Sequence, residues 1–277
     1  MRFLMILDSP EIAQYVCAHE GVIPFVDLEV LGKTERQGHR DTWMSRQTPA
    51  DVTRIREAVP EAHLVVRINP LHEGSQPEID TVIDRGADSV MLPMFTETDE
   101  LARFLDMLGG RAQALPLFET AKSVRSIPRM IQELDLRQLH IGLNDLHLDL
   151  GMLFMFQPLA EGLLEAPAEA MRAAGVSFGV GGLARAQEGI VSPEYLLGEH
   201  VRLGSTGAIL SRTFHRGPKC LQDLKDSMDF GAELYRLRAI YDRFAAADAS
   251  VLEENRIQTH NRIADVVRLI KSKQVDT

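Results

Sequence analysis

The sequence has few cysteines, few aromatic residues and no long uninterrupted apolar stretch. Its 277 residues include two cysteines, one tryptophan and 6% aromatic residues. Cys17 and Cys220 fit neither a disulfide framework nor a zinc-binding pattern, so we expect a reducing compartment, the cytoplasm. Because there is no apolar run of about 18 residues and no signal-peptide pattern, we expect neither a membrane span nor export.

Basic blocks, low-complexity tracts and linkers rich in proline and glycine are also missing. The formal net charge is -10 and arginine is scattered along the chain, which argues against a nucleic-acid-binding surface. A small anionic substrate stays compatible with this charge, because a local arginine or a bound metal overcomes a negative overall field.

What the sequence does contain is a regular alternation of short apolar runs and amphipathic helical stretches. This alternation favours an α/β fold, a (β/α)8 TIM barrel with extra C-terminal helices. We expect the barrel domain to span 1–216 and a helical extension to span 217–277. Eight strands are predicted, at residues 2–7, 22–29, 63–69, 88–95, 114–118, 138–143, 176–184 and 207–214.

The extension carries an apolar stripe at helical spacing. The pattern predicts packing on the barrel or on a neighbouring subunit rather than a separate domain, and we expect a homo-oligomer. The stripe consists of Ile257, Ile263, Val266, Val267 and Ile270.

The stretch 114–151 contains two predicted parallel strands that each lead to an acid, Glu119 and Asp145. The carboxyl ends of such strands lie at one rim, so the two carboxylates should face one pocket. Side-chain alternation places Ile141, Leu143 and Asp145 on one inward row. Two convergent carboxylates suit Mg²⁺, which prefers oxygen ligands. The alternative is that both acids cap the helices that follow them.

Two other strands also end on charged residues. Asp27 and Glu29 close the second predicted strand on the same face, and Arg67 lies near the end of the third. Arg67 is either a substrate-binding group or the member of a strand-end ion pair.

Five segments together resemble the HpcH/HpaI aldolase and citrate lyase β-subunit superfamily over roughly residues 22–215. That superfamily uses a (β/α)8 barrel with Mg²⁺ or Mn²⁺ to make or break carbon–carbon bonds next to pyruvate-like enolates. Its C-terminal helices often exchange between subunits, and we expect the homo-oligomer to be a trimer or hexamer. The segments are FVDLE at 25–29, VVRIN at 65–69, DRGADSVMLPMF at 84–95, LFETAKSV at 117–124 and HIGLNDLHLDLG at 140–151.

The resemblance assigns roles to individual residues. It implies Glu119 and Asp145 as ligands of Mg²⁺ or Mn²⁺, and Arg67 as the group that binds the 2-oxo acid and its enolate oxygen. Gly142 and Asn144 line the substrate carboxylate site by the same implication. A Lewis-acidic cation and a fixed guanidinium are suited to stabilising the charge of an enolate.

Two positions depart from the family pattern. Val30 occupies the place where the aldolases have a histidine and the citrate lyase-like members an aspartate, so the usual general base is missing. Asp27 and Glu29 remain, and His39 in the following loop is a substitute candidate, although a lone loop histidine is also explained by simple solvation. Met94 stands where citrate lyase-like proteins carry lysine.

These features predict a metal-dependent, class II aldolase-type lyase that cleaves or forms a 4-hydroxy-2-oxo acid through a pyruvate enolate. Its partners would be a pyruvate- or oxaloacetate-like 2-oxo acid and an aldehyde. Residues 181–212 resemble homologues from bacterial surface-polysaccharide gene sets, which suggests a sugar-derived aldehyde. Two alternatives remain open: a lyase or thioesterase acting on malyl- or citramalyl-CoA, and a homologue that binds metal and keto acid without catalysis.

Overall fold

The computed structural model describes residues 1–32 and 46–275, and side chains up to 273. The loop candidate His39 lies outside these ranges. Within them, the strands are β1 Arg2–Ile6, β2 Val22–Asp27, β3 Val65–Arg67, β4 Ser89–Met91, β5 Gln113–Ala114, β6 Leu117–Phe118, β7 Gln138–Ile141, β8 Ser177–Leu183 and β9 Gly207–Leu210.

Helices follow nearly all of these strands. In chain order they are α1 Pro10–Cys17, α2 Pro49–Ala58, α3 Ser75–Asp84, α4 Thr98–Leu108, α5 Ala121–Glu133, α6 Leu143–Asp149, α7 Gln157–Ala160, α8 Glu165–Ala173, α9 Pro193–Leu203, α10 Arg212–His215, α11 Leu221–Ser227, α12 Phe230–Ala245 and α13 Ala249–Val275.

The sheet is entirely parallel and closes into a barrel. Its strand order is β5-β4-β3-β2-β1-β9-β8-β7-β6. The two end strands, β5 and β6, are halves of one strand interrupted by Leu115 and Pro116. Backbone hydrogen bonds to both neighbouring strands continue through the interruption. Leu115 N donates to Val90 O at 2.9 Å on one side, and His140 N donates to Pro116 O at 2.9 Å on the other. The eight-stranded (β/α)8 prediction is therefore confirmed.

Local sequence explains where several helices begin. Ser9 accepts a hydrogen bond from Ile12 N, and Pro10 occupies the first position of α1, where its missing N–H costs nothing. Thr120 and Ser123 form a reciprocal capping box at the start of α5. These caps fix the points at which the chain leaves the rim that carries Asp27 and Glu119.

Apolar side chains form two layers. A small cluster fills the barrel interior, and a larger one lies between the strands and the surrounding helices. Alternate residues along each strand supply the two layers, as the pleat of a strand requires. The interior cluster comprises Leu4, Phe25, Val65, Met91, Leu115 and Leu117.

The C-terminal helices pack on the barrel of the same chain. Helices α12 and α13 both lie against α9. Asn255 of α13 donates to Tyr195 O at 3.0 Å. Ile263 of the predicted stripe is buried, whereas Ile257 is 47% exposed and lies outside the packed face. The boundary at residue 216 and the oligomeric state stay predictions. No helix in the described part of the chain has the length and apolarity needed to cross a membrane.

Several strands end earlier than the apolar runs suggested. The sixth barrel strand stops at Ile141 and α6 begins at Leu143, and the eighth stops at Leu210 before the short helix α10. Gly142 is the N-cap residue between strand and helix, with an extended backbone (φ -88°, ψ 105°). Apolar residues continue across this boundary because α6 also packs inward, so hydrophobicity alone did not locate it.

Candidate active site

Arg67 and Asp27 form a two-point ion pair at the carboxyl ends of β3 and β2. The two residues are direct neighbours in the parallel register. Arg67 Nε donates to Asp27 Oδ1 and Arg67 Nη2 to Asp27 Oδ2, both at 2.8 Å. This fork geometry is the strongest arrangement available to a guanidinium and a carboxylate. Of the two possibilities for Arg67, the ion pair is thus present, and it lies at the rim predicted for the site.

Glu29 joins the same guanidinium from beyond the end of β2. Its Oε2 lies 3.4 Å from Arg67 Nη2, and its backbone N–H donates to Asp27 Oδ1 at 3.2 Å. The sequence predicted that the second strand continues to Glu29, but β2 ends two residues earlier, at Asp27. Both acids nevertheless lie beside the same guanidinium. Asp27 and Glu29 are 1% and 2% exposed, so this pairing occurs in a nearly dry environment.

A third carboxylate contributes to the field at Arg67. Burial lowers the pKa of Arg67. The charges of Asp27, Glu29 and Glu119 raise it by a larger amount, so the net change is upward. The guanidinium is therefore permanently charged. Its Nε and Nη2 are engaged, while Nη1 donates no hydrogen bond within the described residues. The Nη1 group is therefore suited to donate a hydrogen bond to a substrate oxygen.

Glu119 follows β6 and is 3% exposed. Its Oε1 accepts a hydrogen bond from the backbone N–H of Met94 at 3.2 Å. Met94 adopts a left-handed conformation (φ 59°), which is uncommon for a residue with a Cβ atom. This strained turn after β4 aims an amide at the carboxylate, as is typical of functional sites.

Gly142 leaves room for the Glu119 side chain. A Cβ atom at position 142 would lie 2.8 Å from Glu119 Oε2 and 2.9 Å from Glu119 Cβ. The Gly142 N–H donates to Phe118 O at 2.9 Å, so this amide belongs to the barrel ladder. Gly142 therefore shapes the space around the acid rather than offering a donor in this state.

Asp145 lies in the first turn of α6, one turn beyond the end of β7. The inward row Ile141, Leu143 and Asp145 predicted from strand alternation is wrong, because these residues span a strand, a glycine cap and a helix. The neighbouring position of the two chain segments is nevertheless as expected, since β6 pairs with β7 in parallel. Asp145 is half-buried and Asn144 is exposed at this rim.

Among the described residues, no three His, Cys, Asp or Glu side chains converge as a site that could hold a metal by itself. The assignment of Glu119 and Asp145 as ligands, and of Gly142 and Asn144 as substrate-binding residues, remains a prediction.

Val30 is held at the rim through its backbone. Asn69 Oδ1 accepts from the N–H groups of Val30 and Leu31, both at 2.9 Å, and Asn69 Nδ2 donates to Glu78 Oε1 at 2.7 Å. The Val30 side chain is 45% exposed. The position is therefore that of a rim residue, but its aliphatic side chain has no group that accepts a proton.

Sequence reasoning missed three residues that take part in the rim. Gln47 spans two strands: its Oε1 accepts from Asp27 N at 2.8 Å and its Nε2 donates to Leu7 O at 2.6 Å. Asn69 anchors the segment after Glu29. Arg212 follows the last strand and lines a cavity of about 480 Å³ together with Asp27. The position of Arg212 directly after a barrel strand was the available signal.

Two further histidines are buried in the protein. His140 of β7 contacts Gly181 O through Nε2 at 3.1 Å, and His200 contacts Ser205 Oγ through Nδ1 at 2.8 Å. Burial, with a smaller contribution from Arg67, lowers the pKa of His140 to about 4. Burial lowers the pKa of His200 to about 3. Both imidazoles are therefore neutral near pH 7.

Comparison with known proteins gives matches at the level of structure. No protein-family model and no curated protein sequence matches the chain. The citrate lyase β subunit from M. tuberculosis, complexed with oxaloacetate and magnesium, is similar with a TM-score of 0.60 and 16% identity, covering 86% of this chain and 95% of that chain.

Two further structures show the same architecture. The HpcH/HpaI aldolase from Desulfitobacterium hafniense has a TM-score of 0.56 at 16% identity, over 76% of this chain and 85% of that chain. The citrate synthase SbnG has a TM-score of 0.55 at 15% identity over the same shares. At these identities the likeness establishes fold and not reaction. The chain therefore has the barrel fold of the HpcH/HpaI aldolase and citrate lyase β-subunit structures, as its sequence motifs suggested.

Proposed function

We propose that this chain is a divalent-metal-dependent carbon–carbon lyase that cleaves or forms a 4-hydroxy-2-oxo acid through a pyruvate enolate. The observation that carries the proposal is the rim constellation: a guanidinium fixed by Asp27 and Glu29, within the field of Glu119, at the carboxyl end of a (β/α)8 barrel. Active sites of such barrels lie at this end.

Glu119 and Asp145 fit a hard divalent cation. The donors are carboxylate oxygens, and Gly142 keeps the space beside Glu119 Oε2 open where any side chain would fill it. Mg²⁺ commonly uses one or two protein carboxylates and completes its shell with substrate and water, which agrees with a site that has fewer than three protein ligands among the described residues. When bound, Mg²⁺ or Mn²⁺ would supply Lewis-acid stabilisation of the 2-oxo acid. The magnesium complex of the M. tuberculosis protein supports the choice of a divalent cation.

Arg67 would bind the 2-oxo acid and stabilise the negative charge that develops on the enolate oxygen. Asp27 holds two of its nitrogens, so the guanidinium is preorganised and needs no rearrangement during the reaction. Asp27 is accordingly a positioning residue for Arg67. The low exposure of the pair strengthens each electrostatic contact.

Glu29 is the proposed proton acceptor, because Val30 cannot fill that role. In the cleavage direction Glu29 takes the proton of the C4 hydroxyl, and the C3–C4 bond breaks. The carbonyl of the aldehyde forms as the bonding electron pair passes into the enolate. The enolate then takes a proton at C3 to give pyruvate. His39 remains a second candidate for the base, outside the described residues.

The experiment is product analysis with purified protein, pyruvate, Mg²⁺ or Mn²⁺ and a panel of aldehydes. We expect a 4-hydroxy-2-oxo acid that forms with the metal and disappears with excess chelator. A parallel reaction with acetyl-CoA and glyoxylate or pyruvate tests the thioester alternative, since malyl- or citramalyl-CoA would then form instead. Metal-dependent binding of pyruvate without any product would support the non-catalytic alternative.

A further inference from the structure

The cavity that Arg212 lines is larger than a 2-oxo acid requires. It has a volume of about 480 Å³ and opens between the ends of β1, β2 and β9. Asp27 lies on its wall, so the cavity is continuous with the Arg67–Asp27 pair. Small-molecule sites typically have volumes of about 300–1,000 Å³. The cavity therefore has the size and position to hold the second reactant next to the proposed enolate.

Part of the lining of this cavity is apolar. Met5 of β1, Leu7 directly after β1 and Ile12 of α1 contribute to its wall, and all three belong to the buried core. Such a wall suits the carbon chain of a ligand, because it removes apolar surface from water.

The described residues of the lining also carry an excess of positive charge. The cations among them are Arg46, Arg54, Arg212 and Lys219. Of the acids on the same wall, Asp27 is paired with Arg67 and Asp51 with Arg54, and Asp8 is the third. Among the described lining residues, the local sign is thus opposite to the net charge of -10 of the whole chain. A cationic wall inside an acidic protein concentrates anionic ligands at that place.

Arg212 is the best placed of these cations. It begins α10 two residues after the end of β9, so its backbone is fixed to the barrel rim. Burial lowers the pKa of Arg212, Asp27 opposes this change and Arg67 adds to it, which places its guanidinium within the field of the proposed reaction centre. The guanidinium stays charged, and its planar shape matches the geometry of a carboxylate or phosphate.

We propose that the cavity binds an anionic second substrate, with its carbonyl group toward Asp27 and Glu29 and its carboxylate or phosphate tail on Arg212, assisted by Lys219. This inference rests on the proposed function and narrows its aldehyde to an anionic one. Arg212 would thus be the residue that sets specificity for the second reactant.

The first test measures binding and needs no catalysis. Glycerol 3-phosphate and glutarate serve as unreactive anions, glycerol serves as the neutral control, and calorimetry is performed with pyruvate and Mg²⁺ present. We expect one of the two anions to bind, and Arg212→Gln to weaken it by about tenfold or more, as loss of a charge-assisted contact predicts. The anion that binds identifies a phosphate or a carboxylate tail.

Control variants separate a local effect from a change in net charge. Arg236→Gln removes the same charge from an exposed pair with Glu233 on α12 and should leave binding unchanged. Arg212→Lys and Lys219→Gln replace Arg212→Gln if that variant does not fold. Binding of neither anion, equal binding by wild type and the Arg212 variants, or equal binding of glycerol would overturn the inference.

A second test uses the reaction. D-Glyceraldehyde 3-phosphate or succinic semialdehyde is compared with neutral D-glyceraldehyde, and the ratio of kcat/KM for anionic over neutral aldehyde is the readout. We expect Arg212→Gln to lower this ratio at least about tenfold. A ratio that is equal in wild type and variant contradicts the inference. If wild type neither exchanges pyruvate protons nor forms product, the proposed function fails, and the binding test still decides the role of Arg212.

Discussion

Arg67 and Asp27 face each other in register on neighbouring strands and share two hydrogen bonds of 2.8 Å. Glu29 approaches the same guanidinium at 3.4 Å. A charged group held this firmly, with little exposure, is either a stabilising element of the barrel rim or a preorganised binding group. The two roles differ in their consequences for mutation.

Replacement of Arg67 by lysine separates charge from geometry. The ammonium group of a lysine would keep a positive charge at this position but lose the fork that spans both Asp27 oxygens. We expect Arg67→Lys to reduce pyruvate enolisation by about a hundredfold or more, because the group that stabilises the enolate is no longer fixed. Deuterium incorporation into pyruvate, with circular dichroism to verify folding, gives the measurement. Enolisation at the wild-type rate would show that Arg67 is a structural residue.

Asp27→Asn should destabilise the fold as well as impair activity. It removes the charge that faces a buried guanidinium, and breaking a buried pair on one side costs about 3 kcal/mol or more. Urea unfolding at pH 7 measures this loss.

Asp80→Asn is the matched control for Asp27→Asn. Asp80 pairs with Arg111 at 2.6 Å, but both side chains are 43% exposed. Surface pairs of this kind contribute about 0–1 kcal/mol. Equal losses of stability in the two variants would contradict the assignment of a special role to the rim pair.

Gly142→Ala should disturb Glu119 directly. The added Cβ would lie within 2.9 Å of the Glu119 side chain, so the carboxylate must move. We expect weaker binding of Mn²⁺, followed by electron paramagnetic resonance, and at least about tenfold slower enolisation.

Gly207→Ala is the control, because a Cβ there meets its nearest atom at 3.5 Å, which is ordinary contact. Unaltered Mn²⁺ binding in Gly142→Ala would show that Glu119 is not a ligand.

The buried histidines predict a pH dependence of stability. The pKa of His140 is about 4 in the folded protein and about 6.5 in the unfolded chain, so the unfolded state binds protons first on acidification. The part of the free energy of unfolding that comes from this pKa difference is fully present above pH 6.5. It is lost as the pH falls towards 4. The total is on the order of 3 kcal/mol. His200 acts in the same direction, to about pH 3.

Urea midpoints measured between pH 4.5 and 7.5 test this dependence. The slope of the urea midpoint against pH should be smaller in His140→Gln than in wild type, because one titrating group is removed. His260→Gln, at an exposed position on α13, should retain the wild-type slope. A slope unaffected by either substitution would exclude His140 as its source.

The barrel fold was predictable from the sequence because alternating apolar runs, caps and glycine stops repeat along the chain. The ends of its strands were not. Leu143 continues an apolar run but begins α6, and Pro116 interrupts a strand that the run 114–118 suggested was continuous. Both positions are decided by backbone hydrogen bonds to neighbouring strands, which no local pattern contains.

The candidate site was predictable where charge followed a strand. Asp27, Glu29, Arg67 and Glu119 were identified in this way, and the structure places them at one rim. Gln47 and Asn69 were missed because their roles are long-range: one joins the ends of two strands, and the other supports a turn about 40 residues away. Neutral amides carry no sequence signal for such bridging.

Proton NMR of pyruvate in D₂O is the most direct measurement of the proposed chemistry. Purified protein is mixed with pyruvate and Mg²⁺ or Mn²⁺, and loss of the methyl signal is followed over time. We expect exchange that requires the metal and is abolished in Asp145→Ala, while Asp106→Ala, at an exposed position on α4, retains exchange. Metal-dependent binding of pyruvate without exchange would contradict the enolate mechanism.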